Sequence, residues 1–306
     1  MGSIALCFSG QGAQYSGMGC ELYENSPAAR AVFELCENIR PGTIKQCFSG
    51  GSDELARTET TQPCLYCVDL AAAEALREAG VFAEMLAGFS LGEFAALAYS
   101  GAVSYEDGFR LVCKRAELMQ KASDFIGAGM AAVLKLPDSS VSALCDEFYN
   151  VYPVNYNCDG QVVVAFAEGE SEQFKLRVRE AGGRVMPLKV SGGFHSPLIA
   201  GAPAEFDDVL DTFNYSQPEL PLYSNVTARP YRGEAKGYLS KQICSPVQWR
   251  ATVENMVLDG ADTFIEVGPG KALSGLITRI SDKARMFNVE DSESLERTIS
   301  SIQHNS

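Results

Sequence analysis

The chain has 306 residues, 46% of them hydrophobic and 21% charged, and a formal net charge of −14 at pH 7. That length buries a large core and suits one large domain carrying a smaller one. The acidic balance argues against non-specific nucleic-acid binding, and no apolar run approaches the roughly eighteen residues of a membrane span. The start, Met1-Gly2-Ser3-Ile4-Ala5-Leu6, lacks the cationic stretch of a signal peptide and breaks the myristoylation pattern at Leu6. Ten cysteines are scattered through apolar segments, as reduced thiols are. A cytoplasmic protein is expected.

In chain order, residues 4–8 read as a short buried strand, followed by a helix around 28–39 and another over 65–79 closed by Gly80. Cys64-Leu65-Tyr66-Cys67 opens that helix. With no second pair and no nearby histidine, it reads as core packing rather than zinc or redox chemistry. Residues 83–87 suit a strand, 92–98 a helix, and 105–121 a helix with apolar residues at Phe109, Val112, Ala116 and Met119. This alternation implies a largely parallel sheet covered by helices on both faces.

Residues 128–190 keep a different rhythm. A strand at 130–136 and a helix at 139–149 precede strands 151–156 and 161–167 about an Asp159-Gly160 turn; a helix at 170–181 and a strand at 184–190 follow. That β-α-β-β-α-β order is the ferredoxin-like split unit. Beyond it the α/β pattern resumes: helix 198–213, strand 220–224, helix 246–258 with Pro246 at its start, strand 263–267 and helix 271–280. The division expected is a catalytic domain of residues 1–124 and 192–306, interrupted by a small subdomain of residues 125–191.

The run Gly88-Phe89-Ser90-Leu91-Gly92-Glu93 has the spacing of a nucleophile elbow, in which two glycines permit a strained strand-to-helix turn that exposes Oγ. A plain Gly/Ser loop is the alternative on spacing alone. A serine nucleophile needs a base, and the chain has two histidines. His304 lies in the polar terminal run, whereas His195 sits in a loop between Gly192-Gly193 and Pro197. Ser90 and His195 thus make an acyl-transfer pair. Ser9-Gly10-Gln11-Gly12-Ala13-Gln14 follows the first strand; an N–H of this loop and the one following Ser90 would form an oxyanion hole. Tyr15 at the third glycine position rules out a dinucleotide fingerprint.

Several stretches together resemble the malonyl-CoA:acyl carrier protein transacylases of fatty-acid and polyketide synthesis. They are Gly10-Gln11-Gly12-Ala13-Gln14, the elbow, Arg115 with Met119-Gln120, Asn155-Tyr156-Asn157, Gly160-Gln161-Val162-Val163, Gly193-Phe194-His195-Ser196, Ser245-Pro246-Val247-Gln248-Trp249 and Glu266-Val267-Gly268-Pro269-Gly270. The order is the family's, over roughly residues 4–280. The resemblance implies a hydrolase-like α/β domain with a ferredoxin-like insert. It makes Ser90 the nucleophile, His195 its base, Gln11 and Leu91 the oxyanion donors through backbone N–H groups, and Arg115 the partner of the malonyl carboxylate. It gives Gln248 the backbone carbonyl that orients the histidine. Malonyl-CoA and an acyl carrier protein are the implied partners, and no metal or other cofactor is expected. Two departures stand out: Phe89 where many members have His, and Ser9 where they have Pro. Phe194 before the histidine favours malonyl over methylmalonyl. A serine esterase or thioesterase is the competing reading, against which stand the missing HGGG-type loop and the presence of Arg115.

Overall fold

The computed structural model describes residues 2–125, 127–199 and 201–303, with the side chains of Phe125, Lys189 and Ser191 outside that description. Its strands are β1 (Ser3–Phe8), β2 (Met85–Gly88), β3 (Ala128–Leu134), β4 (Val151–Cys158), β5 (Gln161–Ala167), β6 (Arg184–Ser191), β7 (Leu222–Tyr223), β8 (Ala261–Val267) and β9 (Arg285–Val289). They form two sheets. One is parallel throughout, in the order β7-β2-β1-β8-β9. Its central strands are buried on both faces by helices, which is why β1 reads as an unbroken apolar run at Ala5-Leu6-Cys7-Phe8. Register places Phe8 opposite both Gly88 and Val267, so the loops after β1, β2 and β8 leave the sheet at one level. Ligands in such sheets bind beyond that edge.

The second sheet is antiparallel, in the order β4-β5-β3-β6, and with the helices Asp138–Cys145 and Ser171–Glu180 it has the expected split arrangement. Strand alternation sorts its side chains. Ala131, Val133, Val162 and Val164 pack under its own helices, while Met130, Ala132, Val163 and Ala165 turn to the main core. Backbone bonds from Tyr156 N–H to the Val247 carbonyl (2.9 Å) and from Val247 N–H to the Val154 carbonyl (2.8 Å) dock the edge of β4 on the larger sheet's side of the molecule.

That docking corrects one expected element. Residues 246–248 are not helical, because Val247 spends both its backbone groups on β4; the helix is Trp249–Leu258. The helix expected from residue 65 runs Thr58–Glu78, with Pro63 inside it. Proline removes the hydrogen bond to the Glu59 carbonyl. The Arg40 guanidinium lies 3.5 Å from that carbonyl, and Gln120 Oε1 accepts from the Thr58 N–H at 2.8 Å. The first answers the carbonyl that Pro63 leaves open and the second satisfies a first-turn N–H, and both come from distant residues. No helix among the described residues is long and apolar enough to cross a membrane.

Candidate active site

After β2 the chain turns through Phe89-Ser90 into the helix Gly92–Tyr99. The turn requires both glycines: a Cβ on Gly88 would overlap the Gly92 carbonyl carbon, and one on Gly92 would overlap the Phe8 carbonyl oxygen. Ser90 sits at φ 53°, a left-handed conformation that costs a non-glycine residue free energy. Two side chains hold it there. Asn225 Oδ1 accepts from the Ser90 N–H (2.7 Å), and Gln242 Nε2 donates to the Ser90 carbonyl (2.6 Å). Asn225, from the segment after β7, also donates through Nδ2 to the Gly88 carbonyl at 2.6 Å.

His195 is buried in the loop after β6, at φ 60°, and its N–H donates to the Ile243 carbonyl. Its Nε2 lies 2.7 Å from Ser90 Oγ, and its Nδ1 lies 2.9 Å from the Gln242 carbonyl. A carbonyl can only accept, so Nδ1 carries the proton and the Nε2 lone pair faces the serine hydroxyl. Burial first, and then the Arg115 guanidinium, push the His195 pKa down to about 4. At neutral pH the imidazole is an uncharged base.

The orienting carbonyl is a correction. It belongs to Gln242, not Gln248. The Gln248 carbonyl caps the following helix, accepting from the Thr252 N–H and hydroxyl at 2.9 Å each, while the Gln248 N–H donates to the Asn225 carbonyl. Gln248 lies six residues beyond Gln242, and the pairing of Val247 with β4 carries it away from the histidine.

Arg115 projects from the helix Tyr105–Phe125 and is completely buried. Its Nη1 donates to Gln62 Oε1 (2.7 Å), and its Nη2 to Gln242 Oε1 (3.1 Å) and to Ser90 Oγ (3.2 Å), with the Phe94 ring 5.1 Å from the guanidinium carbon. Burial lowers its pKa, opposed by Glu93, to about 9, so it remains cationic at neutral pH. Glu93, buried beneath the elbow, accepts from Gln242 Nε2 (3.0 Å), the Tyr231 hydroxyl (2.7 Å) and the Asn225 N–H (3.2 Å). Desolvation raises this carboxyl to about 7 against those hydrogen bonds.

Gln11 lines the same cavity as Ser90 and His195, a space of about 70 Å³ walled by Met119, Met130 and Phe194. Gly10 presses on Phe89, where a Cβ would come within 2.6 Å of the Phe89 carbonyl oxygen. The backbone N–H groups of Gln11 and Leu91 have no partner among the described residues. Phe89 stacks edge-on against Trp249, with ring centroids 5.5 Å apart. Ser9 ties the start of the loop to buried Asp69 through its hydroxyl (2.7 Å). His304 lies outside the described residues. Cys64 and Cys67 are both buried, in the core of the Thr58–Glu78 helix.

Sequence reasoning missed Gln62, Glu93 as a partner, Asn225 and Gln242. Glu93 lies inside the elbow motif itself, and Asn225 is the first residue of an Asn-Val-Thr run that reads only as a glycosylation pattern. Gln62 and Gln242 carry no local signal.

Fold and site together define an α/β protein with an elbow serine paired to a histidine at the carboxyl edge of a parallel sheet. The chain belongs to the acyl transferase domain family, whose model matches residues 6–295. It is 35% identical to the malonyl CoA-acyl carrier protein transacylase of Bacillus subtilis (strain 168), over 99% of this chain and 98% of that protein. Its structure is similar to the malonyl CoA-acyl carrier protein transacylase of Clostridium perfringens, with a TM-score of 0.95, 35% identity, and coverage of 99% of this chain and 98% of that one. It is also similar to a malonyl-transacylase solved in complex with its type II PKS acyl-carrier protein, at a TM-score of 0.94 and 30% identity over 98% and 99% of the two chains. The esterase reading has no support among these relatives.

Proposed function

We propose that this chain transfers a malonyl group from malonyl-CoA to the pantetheine thiol of an acyl carrier protein, through a malonyl ester on Ser90. The observation that carries the reading is the position of Ser90 Oγ, 2.7 Å from His195 Nε2 and 3.2 Å from Arg115 Nη2. One oxygen touches both a neutral base and a cation suited to a carboxylate.

His195 takes the Ser90 proton as Oγ attacks the malonyl thioester carbonyl, and the C–O bond forms. The Gln11 and Leu91 N–H groups bind the oxyanion that develops. As the C–S bond breaks, the imidazolium returns its proton to the departing CoA sulfur. The malonyl carboxylate meanwhile rests on Arg115, whose planar guanidinium matches it and stays charged. A carrier thiol then gives its proton to His195 and attacks the ester, regenerating Ser90. The Gln242 carbonyl orients the imidazole without supplying the negative charge that a triad carboxylate would. Nucleophile, base and donors are all protein groups, so these steps need no metal or other cofactor. The scattered free cysteines suit a reducing compartment, and we place the reaction in the cytoplasm.

Intact-protein mass spectrometry tests the reading. Mixed with malonyl-CoA alone, the protein should gain one malonyl group; on adding a carrier protein with its pantetheine arm, that mass should move to the carrier. Release of free malonate at the rate of CoA formation, with no gain on the carrier, would contradict it.

A further inference from the structure

Arg115 is buried, yet both of its hydrogen-bonded side-chain amides are neutral. Gln62 Oε1 holds Nη1 at 2.7 Å, and Gln242 Oε1 holds Nη2 at 3.1 Å. A buried guanidinium is ordinarily paired with a carboxylate, because leaving it unpaired is costly. Here the nearest carboxylate in the network, Glu93, stands one amide away: Gln242 Nε2 donates to it at 3.0 Å while Gln242 Oε1 accepts from Arg115. The same Nε2 also donates to the Ser90 carbonyl. With its Nε2 committed to those two acceptors, the Gln242 amide is fixed with its oxygen toward the arginine. Of the five N–H donors of the guanidinium, three are engaged, by Gln62, Gln242 and Ser90 Oγ, and Nε has no partner among the described residues.

We infer that Gln62 and Gln242 are positioning residues that set acyl selectivity, gripping Arg115 by both edges with neutral oxygens so that its charge is left for the substrate's carboxylate. A glutamate in place of Gln62, which only accepts here, would grip as well and would answer the charge from within. Selectivity for a dicarboxylic acyl group over a neutral one then rests on what stands beside the arginine as much as on the arginine itself. The inference rests on the reading of Arg115 as the carboxylate's partner.

Gln62→Glu is the test, because it keeps side-chain length and acceptor geometry. The probes are malonyl-CoA and acetyl-CoA, with kcat/KM for each measured on wild type, Q62E, Q62M and R115A, and thermal melting on all four. A hydrogen bond to a charged group corresponds to a factor of about 10 to 150. Q62E should therefore lower the malonyl-to-acetyl ratio by about tenfold or more, with acetyl transfer within about threefold of wild type and no loss of melting temperature. Q62M, which removes the acceptor without adding charge, should lower the ratio by only about threefold. A Q62E ratio equal to wild type, a loss shared equally by both substrates, or a Q62M loss as large as that of Q62E would each overturn the inference while R115A still changed the ratio. If R115A left the ratio unchanged, the carboxylate reading itself would fall and the inference with it. Should Q62E not fold, Q62M carries the test, and an unaltered ratio in Q62M overturns the inference.

Discussion

The bond-making half of the site hangs on loops, whereas the substrate-reading half rides on a helix. Ser90 and His195 both sit at positive φ, 53° and 60°, and each is pinned from outside, by Asn225 and Gln242 in one case and by the Ile243 and Gln242 carbonyls in the other. Arg115 instead lies in the middle of the regular helix Tyr105–Phe125, and its position comes from the reach of its side chain between Gln62 and Gln242. A reactive oxygen has to be presented in the open, which calls for a strained turn; a recognition charge has to be kept from water, which a core helix does without strain. Gln242 bonds to both halves, through its backbone carbonyl to His195 and through its amide to Ser90 and Arg115. Damage to the first half should therefore slow every acyl group, and damage to the second should sort one acyl group from another.

The largest expected effect is that of Ser90→Ala, which leaves no attachment point. No malonyl adduct should form, and a full adduct in that variant would remove Ser90 from the mechanism. His195→Ala should slow acylation by ~10²–10⁴-fold for malonyl-CoA and acetyl-CoA alike, as read by rapid-quench formation of the acyl-enzyme; a near-normal rate would mean that another group takes the proton. Arg115→Ala removes charged hydrogen bonds that contribute ~1.5–3 kcal/mol, so malonyl transfer should fall by about 10- to 150-fold while acetyl transfer holds or rises. Equal losses on both thioesters would make Arg115 a structural residue.

A pH profile sharpens the same contrast. His195 is held down to about 4 by burial and then by Arg115, and only its neutral form accepts the serine proton. An ordinary histidine, near 6.5, would be about nine-tenths protonated at pH 5.5. Acylation should instead stay near its plateau at pH 5.5 and fall as the pH approaches 4. An acid limb centred near 6.5 would contradict the buried, arginine-facing histidine. The smallest effect should be that of Gln248→Ala. Its contribution is a backbone cap two steps from the serine, so kcat/KM should stay within about threefold of wild type, the range of changes away from buried features.

Much of this was legible in the sequence, for identifiable reasons. Ser90 is announced by glycines at fixed spacing because the turn cannot close with a Cβ at either place, and His195 by elimination between two histidines. Arg115 needed the family resemblance, since Lys114-Arg115 alone reads as a solvated helix face. Lys114 does lie exposed and paired with Glu117 at 2.7 Å. What could not be read are groups whose role depends on a distant partner. Gln62 precedes a proline that suggests a break, but the Thr58–Glu78 helix passes through Pro63, with Arg40 reaching the freed Glu59 carbonyl from elsewhere. Gln248 sits in the matching motif, whereas Gln242 lies outside it. The backbone pairing of Val247 with β4 decides the matter, and no local pattern encodes that pairing.

The central claim is that Ser90 accepts the acyl group while Arg115 chooses it. One competition measures both: wild type and Arg115→Ala are each mixed with equal concentrations of malonyl-CoA and acetyl-CoA, quenched within one turnover, and weighed intact with the modified residue mapped. The account predicts malonyl-Ser90 on the wild type and chiefly acetyl-Ser90 on the variant. The same ratio of adducts on both proteins, or an adduct on any residue other than Ser90, would contradict it.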